Sequence, residues 1–162
     1  MLANLAVRQF DDLVSHIAER NGITYTRYAD DLTLSTADDR FTKEQSRQVI
    51  GEVYSVMGRF GLSPNATKTR VAPPGSRKIV LGLLVEGPEP RLLRVFKATM
   101  RQHIHFLTRT DIGPSAHAKA RGFASVAGLK HHVHGLVNFA KQIEPIYGQA
   151  CAEALAKVQW PI

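Results

Sequence analysis

Tyr25-Thr26-Arg27-Tyr28-Ala29-Asp30-Asp31-Leu32-Thr33-Leu34-Ser35 places two adjacent carboxylates in a break between two runs of β-branched, aromatic and aliphatic residues. The runs, Ile23 to Arg27 and Leu32 to Ser35, read as strands. The Asp-containing break between them reads as a tight hairpin turn, because Asp tolerates the backbone angles that a sharp turn demands. A hairpin tip presents Asp30 and Asp31 together. Neighbouring carboxylates repel unless a cation lies between them, and a hard divalent ion such as Mg²⁺ accepts an all-oxygen site. Paired ions of this kind activate an attacking oxygen and stabilise a leaving one in phosphoryl transfer. Taken alone, an acidic turn pair equally fits a solvated loop.

Helical patterns bracket the hairpin. Leu2, Leu5, Ala6, Phe10, Leu13, Val14, Ile17 and Ala18 recur at three- and four-residue steps, which is the signature of an amphipathic helix, and Asn21-Gly22 stops it. Thr42 and Gln45 stand at capping-box spacing and open a second helix. Its Val49, Ile50, Val53, Met57 and Phe60 form one apolar face, and Gly61 closes it.

Downstream, Pro73-Pro74-Gly75 is a turn. Lys78 to Val85 reads as one strand with Ile79, Leu81, Leu83 and Val85 on a single face. Gly87-Pro88-Glu89-Pro90 cannot continue a strand and is the expected subdomain boundary, dividing residues 1–86 from 91–162. Beyond it the pattern is helical to the end. Phe96, Met100, Ile104 and Leu107 form a stripe, Gly113-Pro114 breaks the chain, and Ser115 stands where it would cap a helix beyond the break. Gly122 and Gly128 each weaken a helix by about 1 kcal/mol relative to Ala, so the helix in that region is expected to be short or irregular. Leu136, Val137, Phe139 and Ala140 continue the apolar pattern, and Glu144-Pro145 precedes a last helix over Tyr147 to Val158.

The net charge of +7 is unevenly placed. Residues 1–58 hold 6 Lys/Arg against 9 Asp/Glu, residues 59–141 hold 14 against 3, and the remainder 1 against 2. A block this basic favours a polyanion, since each phosphate neutralised releases condensed counterions, although positive charge also serves solubility. Six of the seven His fall between His103 and His134 and are expected to add charge to that basic surface at mildly acidic pH. His131, His132 and His134 lack the second ligand pair of a zinc finger. Cys151 is the single cysteine and forms no internal disulfide. No apolar run approaches the roughly 20 residues of a membrane span, and no signal peptide is legible, so a cytoplasmic protein without a membrane partner is expected.

The hairpin with its flanks resembles the catalytic hairpin of bacterial retron-type reverse transcriptases. Further stretches resemble the same family in order and spacing. Leu2-Ala3-Asn4-Leu5 with Phe10-Asp11 matches the end of the preceding motif and the helix it starts. Gly61-Leu62-Ser63-Pro64-Asn65-Ala66-Thr67-Lys68-Thr69-Arg70 matches the loop carrying a Lys near the nucleotide. Val80-Leu81-Gly82-Leu83 matches the strand that grips the primer, and Arg94 onward matches the helical thumb.

The resemblance implies an α+β fold, with a partial palm whose antiparallel sheet packs on two helices, followed by an all-helical thumb. It implies an RNA-directed DNA polymerase that joins dNTPs to a primer 3′-hydroxyl, with two Mg²⁺ ions, an RNA template, a DNA primer and a cognate noncoding RNA. Asp30 and Asp31 would hold metal, Lys68 would lie near the departing pyrophosphate, and Tyr28, Ala29, Leu81 and Gly82 would lie near primer or nucleotide. Arg94, Lys97 and Arg101 would form a basic stripe against a duplex backbone. Without the resemblance, Tyr28 fits a core tyrosine, Lys68 an exposed loop cation, Gly82 a close approach to a neighbouring strand, and the stripe a solvated helix face. The family also uses an Asp from an upstream strand and a fingers region, which these residues do not contain, since Asp11 and Asp12 lie in a helical pattern. The expectation is therefore a catalytically incomplete chain. It would be completed by an upstream fingers and palm chain, or else act as a nucleic-acid-binding module or a truncated remnant.

Overall fold

A computed structural model describes residues 5–161. Leu2, Ala3 and Asn4, which open the expected first helix and carry part of the resemblance, lie outside the described residues. The chain adopts the α+β class, with six helices and two small antiparallel sheets among the described residues. It forms two compact units, Met1–Ser76 and Arg77–Ile162.

In the first unit α1 (Arg8–Arg20) leads into the hairpin of β1 (Thr24–Tyr28) and β2 (Asp31–Ser35), and α2 (Lys43–Arg59) follows. The strands pair in antiparallel register, Tyr25 opposite Leu34, Arg27 opposite Leu32 and Tyr28 opposite Asp31. Side chains alternate between the faces of a strand, so Tyr25, Leu32 and Leu34 share one face. That face packs on a core of Phe10, Val14, Ile17, Ala18, Ile23, Val49, Val53 and Val56. Leu13, expected in the apolar stripe of α1, is exposed instead, since the buried stripe runs through Phe10, Val14 and Ile17. Gly22 and Gly61 end the two helices at φ 65° and 67°, angles that cost glycine little.

The capping box on α2 forms as expected: Gln45 N–H donates to Thr42 Oγ1, and Thr42 N–H donates to Gln45 Oε1 at 2.7 Å. Thr42→Ala should lower the stability of this unit by about 1 kcal/mol, read as the midpoint of urea unfolding by circular dichroism. An unchanged midpoint would show that α2 is held by its buried face alone.

The second unit runs β3 (Ile79–Val80), β4 (Leu83–Leu84), β5 (Arg91–Leu92), α3 (Arg94–Thr108), α4 (Gly113–Ala120), α5 (Val126–Ile143) and α6 (Pro145–Ala156). Lys78 to Val85 is not one strand. It is a hairpin that turns at Leu81 and Gly82, which take φ 49° and 78°. Positive φ at both central residues is the geometry of a type I′ turn, and Gly82 makes it accessible. The units divide upstream of the Gly87–Pro90 break because β4 is paired with β5. In turn β5 is held by Leu92 N–H donating to Glu144 Oε1 at 2.9 Å.

Gly113-Pro114 begins α4 rather than breaking the chain, and Ser115 lies inside that helix. A proline in the first turn forfeits only an amide that has no intrahelical partner. Gly122, at φ 74°, ends α4, while Gly128 donates its amide to the N-cap Ser125. Far from being short, α5 runs for 18 residues, because Leu129, Val133, Val137 and Ala140 are all buried and outweigh the glycine cost. The core here joins these residues to Met100, Leu107, Ala118, Cys151, Leu155 and Val158.

Candidate functional site

The hairpin turn consists of Ala29 and Asp30, held between the paired Tyr28 and Asp31. Ala29, not an aspartate, takes the left-handed angle, at φ 53°. Two-residue hairpin turns favour positive φ there and usually place glycine or asparagine, so an alanine stores strain of about 1 to 3 kcal/mol that the surroundings must hold. Tyr28 and Asp31 are cross-strand partners and share the face of Thr26 and Thr33, opposite the face on the core. Tyr28 is 69 % exposed, which excludes a core tyrosine. Asp30 and Asp31 are exposed, and among the described residues neither carboxylate has a hydrogen-bond or ion-pair partner.

The donor set suits Mg²⁺, which is commonly held by one or two carboxylates, with waters and substrate phosphates completing the shell. No cluster of three or more His, Cys, Asp or Glu forms among the described residues.

On the core-facing side of the tip lies a network that sequence reading did not single out. Arg27 donates from Nε to Asp11 Oδ1 at 2.8 Å, from Nη2 to Asp11 Oδ2 at 2.7 Å, and from Nη1 to the Ala29 carbonyl at 2.8 Å. Tyr25 donates its hydroxyl to Asp11 Oδ1 at 2.8 Å. The Arg27 guanidinium holds the Asp11 carboxyl below its ordinary value against the opposing effect of burial, and the Tyr25 hydroxyl lowers it further. Burial and then the Asp11 carboxylate push the Tyr25 hydroxyl up. The available signal was positional: Arg27 sits at an alternate strand position in line with Tyr25 and opposite Leu32, where a charge needs a partner.

Lys68 is exposed in the same unit, and its ammonium makes no ion pair among the described residues. Its loop is folded by Asn65, whose carbonyl accepts from Lys68 N–H at 3.0 Å, and is tied to α2 by a 2.5 Å contact between the Tyr54 and Thr69 hydroxyls.

In the second unit Leu81 is half exposed at the hairpin tip. A Cβ on Gly82 would meet nothing within 4 Å, so backbone angle, not close approach of a neighbouring strand, accounts for the glycine. Arg94 and Arg101 are exposed on α3 without an ion pair among the described residues. Lys97 is committed within the unit. Its ammonium donates to Glu144 Oε2 at 2.5 Å and lies 5.0 Å from the Tyr147 ring centroid. His103 and His117 are buried and bonded to each other, Nδ1 to Nε2 at 2.9 Å, so they add nothing to the basic surface that the His-rich stretch suggested. The second unit carries the whole net charge: residues 1–76 hold nine Lys/Arg and nine Asp/Glu, and residues 77–162 twelve against five. No helix among the described residues is long and apolar enough to cross a membrane.

No family model matches the chain. Among curated proteins it is 30% identical to the retron Mx162 reverse transcriptase of Myxococcus xanthus, an alignment covering 98% of this chain and 33% of that protein. It is 29% identical to the retron Ec86 reverse transcriptase of Escherichia coli, over 91% of this chain and 45% of the relative. The retron Mx65 reverse transcriptase of Myxococcus xanthus is 29% identical over 99% of this chain and 32% of its own length. The chain thus spans between about a third and just under half of the curated relatives it matches. Over nearly all its residues, then, the chain is similar to part of three retron reverse transcriptases.

Proposed function

We propose that the chain supplies the metal-holding hairpin and a duplex-binding helical unit of an RNA-directed DNA polymerase that extends a DNA primer on an RNA template. The observation that carries this reading is the strained tip, which presents Asp30 and Asp31 unpartnered beside an exposed Tyr28. Two Mg²⁺ ions, when bound, would supply activation of the primer 3′-hydroxyl and stabilisation of the leaving pyrophosphate. Asp30 and Asp31 would provide carboxylate oxygens, Tyr28 and Ala29 would lie beside the primer terminus, and Lys68 would neutralise charge on the departing group. Leu81 and Gly82 would approach the primer, and Arg94 and Arg101 would track its duplex backbone; Lys97, paired with Glu144, would act mainly by holding α3 to the junction of α5 and α6. A cognate noncoding RNA is a further partner on this reading, and fingers with a third carboxylate complete the catalytic set.

Grafted after the preceding part of the Escherichia coli retron Ec86 reverse transcriptase, residues 5–161 should support Mg²⁺-dependent primer extension on RNA. Asp31→Asn in that chimaera should bring extension to background, and the 162 residues alone should give none. Extension that survives Asp31→Asn would sink the assignment. The charge of the second unit favours one other reading, a nucleic-acid-binding module without catalysis. It predicts RNA binding that weakens steeply with salt and no extension by any chimaera.

A further inference from the structure

The strained turn and the ion pair on its core-facing side are joined by one side chain. Arg27 places three donors at once, two on the Asp11 carboxylate of α1 and one on the carbonyl of Ala29, the residue at φ 53°. Its side chain is 12% exposed and that of Asp11 28%, so the fork is largely withdrawn from water, and Tyr25 fixes the carboxylate from a second direction. A guanidinium is a planar fork that loses little freedom on making several parallel bonds. The Ala29 carbonyl belongs to the peptide leading into Asp30, so a bond to that oxygen sets the plane from which Asp30 and then Asp31 depart.

We infer that Arg27 is a positioning residue, which with Asp11 holds Ala29 in its left-handed conformation and thereby aims the Asp30 and Asp31 carboxylates. This rests on the reading of those carboxylates as metal-holding. The structural part stands on its own, because an alanine at positive φ needs a restraint and Arg27 is the side chain bonded to that turn. The inference also separates two roles that adjacent residues of one strand divide between them: Tyr28 faces outward with Asp31, while Arg27 faces the core and acts on the backbone.

The test uses the 162-residue chain labelled for NMR, with two readouts. The amide-to-Hα cross-peak within Ala29 is strong only at positive φ. Broadening of the Asp30 and Asp31 amides by added Mn²⁺ reports the carboxylates as a cation site. Arg27→Gln should lose the strong Ala29 cross-peak and weaken the Mn²⁺ response about tenfold, the factor expected when the competent turn becomes a minor conformer. Adding Ala29→Gly to Arg27→Gln should restore the Mn²⁺ response, since glycine adopts positive φ without a restraint. A role confined to pairing with Asp11 would not be rescued that way. If Arg27→Gln does not fold, Arg27→Lys keeps the charge but lacks the fork, and the same two losses are expected of it. An Ala29 cross-peak and Mn²⁺ response unchanged in these variants would overturn the inference, as would a lost response with the Ala29 geometry intact. If the wild type and Asp31→Asn respond to Mn²⁺ alike, the metal reading fails instead, and the Ala29 cross-peak alone then decides whether Arg27 holds the turn.

Discussion

Gly148→Ala should destabilise the unit formed by residues 77–162 by about 3 kcal/mol, the upper end of what overpacking costs, and lower its melting temperature by about 15 °C. Gly148 is buried in the first turns of α6, where the chain reverses after α5. A Cβ built there would fall on the backbone nitrogen of Lys141, within 2.5 Å of its Cα and 2.7 Å of the Ala140 carbonyl carbon. All three are main-chain atoms of α5, so no rotamer change relieves the clash. The helices must move apart, and Ala140, Val137 and Cys151 are buried around the contact. Glu144, which links α5 and α6 and accepts from Leu92 and Lys97, would be displaced with them. The measurement is thermal unfolding followed by Trp160, the only tryptophan, which is packed against this core and therefore reports this unit. Gly135→Ala is the control. That glycine lies exposed in α5, an added Cβ meets nothing within 4 Å, and helix propensity alone should raise stability by about 1 kcal/mol. If both variants melt together, the close approach at Gly148 does not limit stability.

The contrast between these two glycines marks where sequence reading stopped. Both lie in helices, and nothing local distinguishes the one that admits a neighbouring backbone. The hairpin was legible because its signal is local: alternation on two short runs with turn residues between them. The capping box of Thr42 and Gln45 was legible for the same reason. The segment 78–85 misled because its alternation continues across Leu81 and Gly82, while only the chain's reversal there reveals that they form a turn. Asp30 and Asp31 could be read together at a hairpin tip, whereas Tyr28, which taken alone fits a core tyrosine, shows its exposure only in the fold. The Asp11, Tyr25 and Arg27 network could not, since it joins a helix to a strand and depends on their docking. The His-rich stretch failed in the opposite sense: its composition suggested surface, and the fold puts two of its members inside.

Those two histidines should make the second unit acid-sensitive in a definite window. His103 on α3 and His117 on α4 are 2% and 3% exposed, and their rings meet edge to face with centroids 5.1 Å apart. Burial, then His117, Arg121 and His132, push the His103 imidazole down to about 4. Burial and Arg121 push His117 down as well. Around the pair stand Arg121, the residue that follows α4, and His132 of α5, with Phe106 stacked on His117, and no carboxylate among these neighbours offers compensation. An imidazole whose folded value is depressed is neutral in the native state while the unfolded chain takes up a proton. Its stabilisation is complete above the unfolded value of 6.5 and falls as pH drops from there to about 4. At 1.36 kcal/mol per unit, His103 alone accounts for a loss of about 3 kcal/mol across that window. Carboxylates such as Glu144, kept low by Lys97 and the Leu92 amide despite burial, add their loss at the acid end of the same range. The His contribution is isolated by the double variant His103→Leu/His117→Leu, which removes both partners and leaves neither imidazole unpaired. Guanidinium unfolding midpoints of this unit should decline steeply between pH 6.5 and 4 in the wild type and markedly less in the double variant. The midpoint, not the baseline signal, is the quantity to follow. Parallel slopes in the two proteins would mean that the acid response belongs to the carboxylates, and that the buried pair accepts a proton as readily as an exposed imidazole.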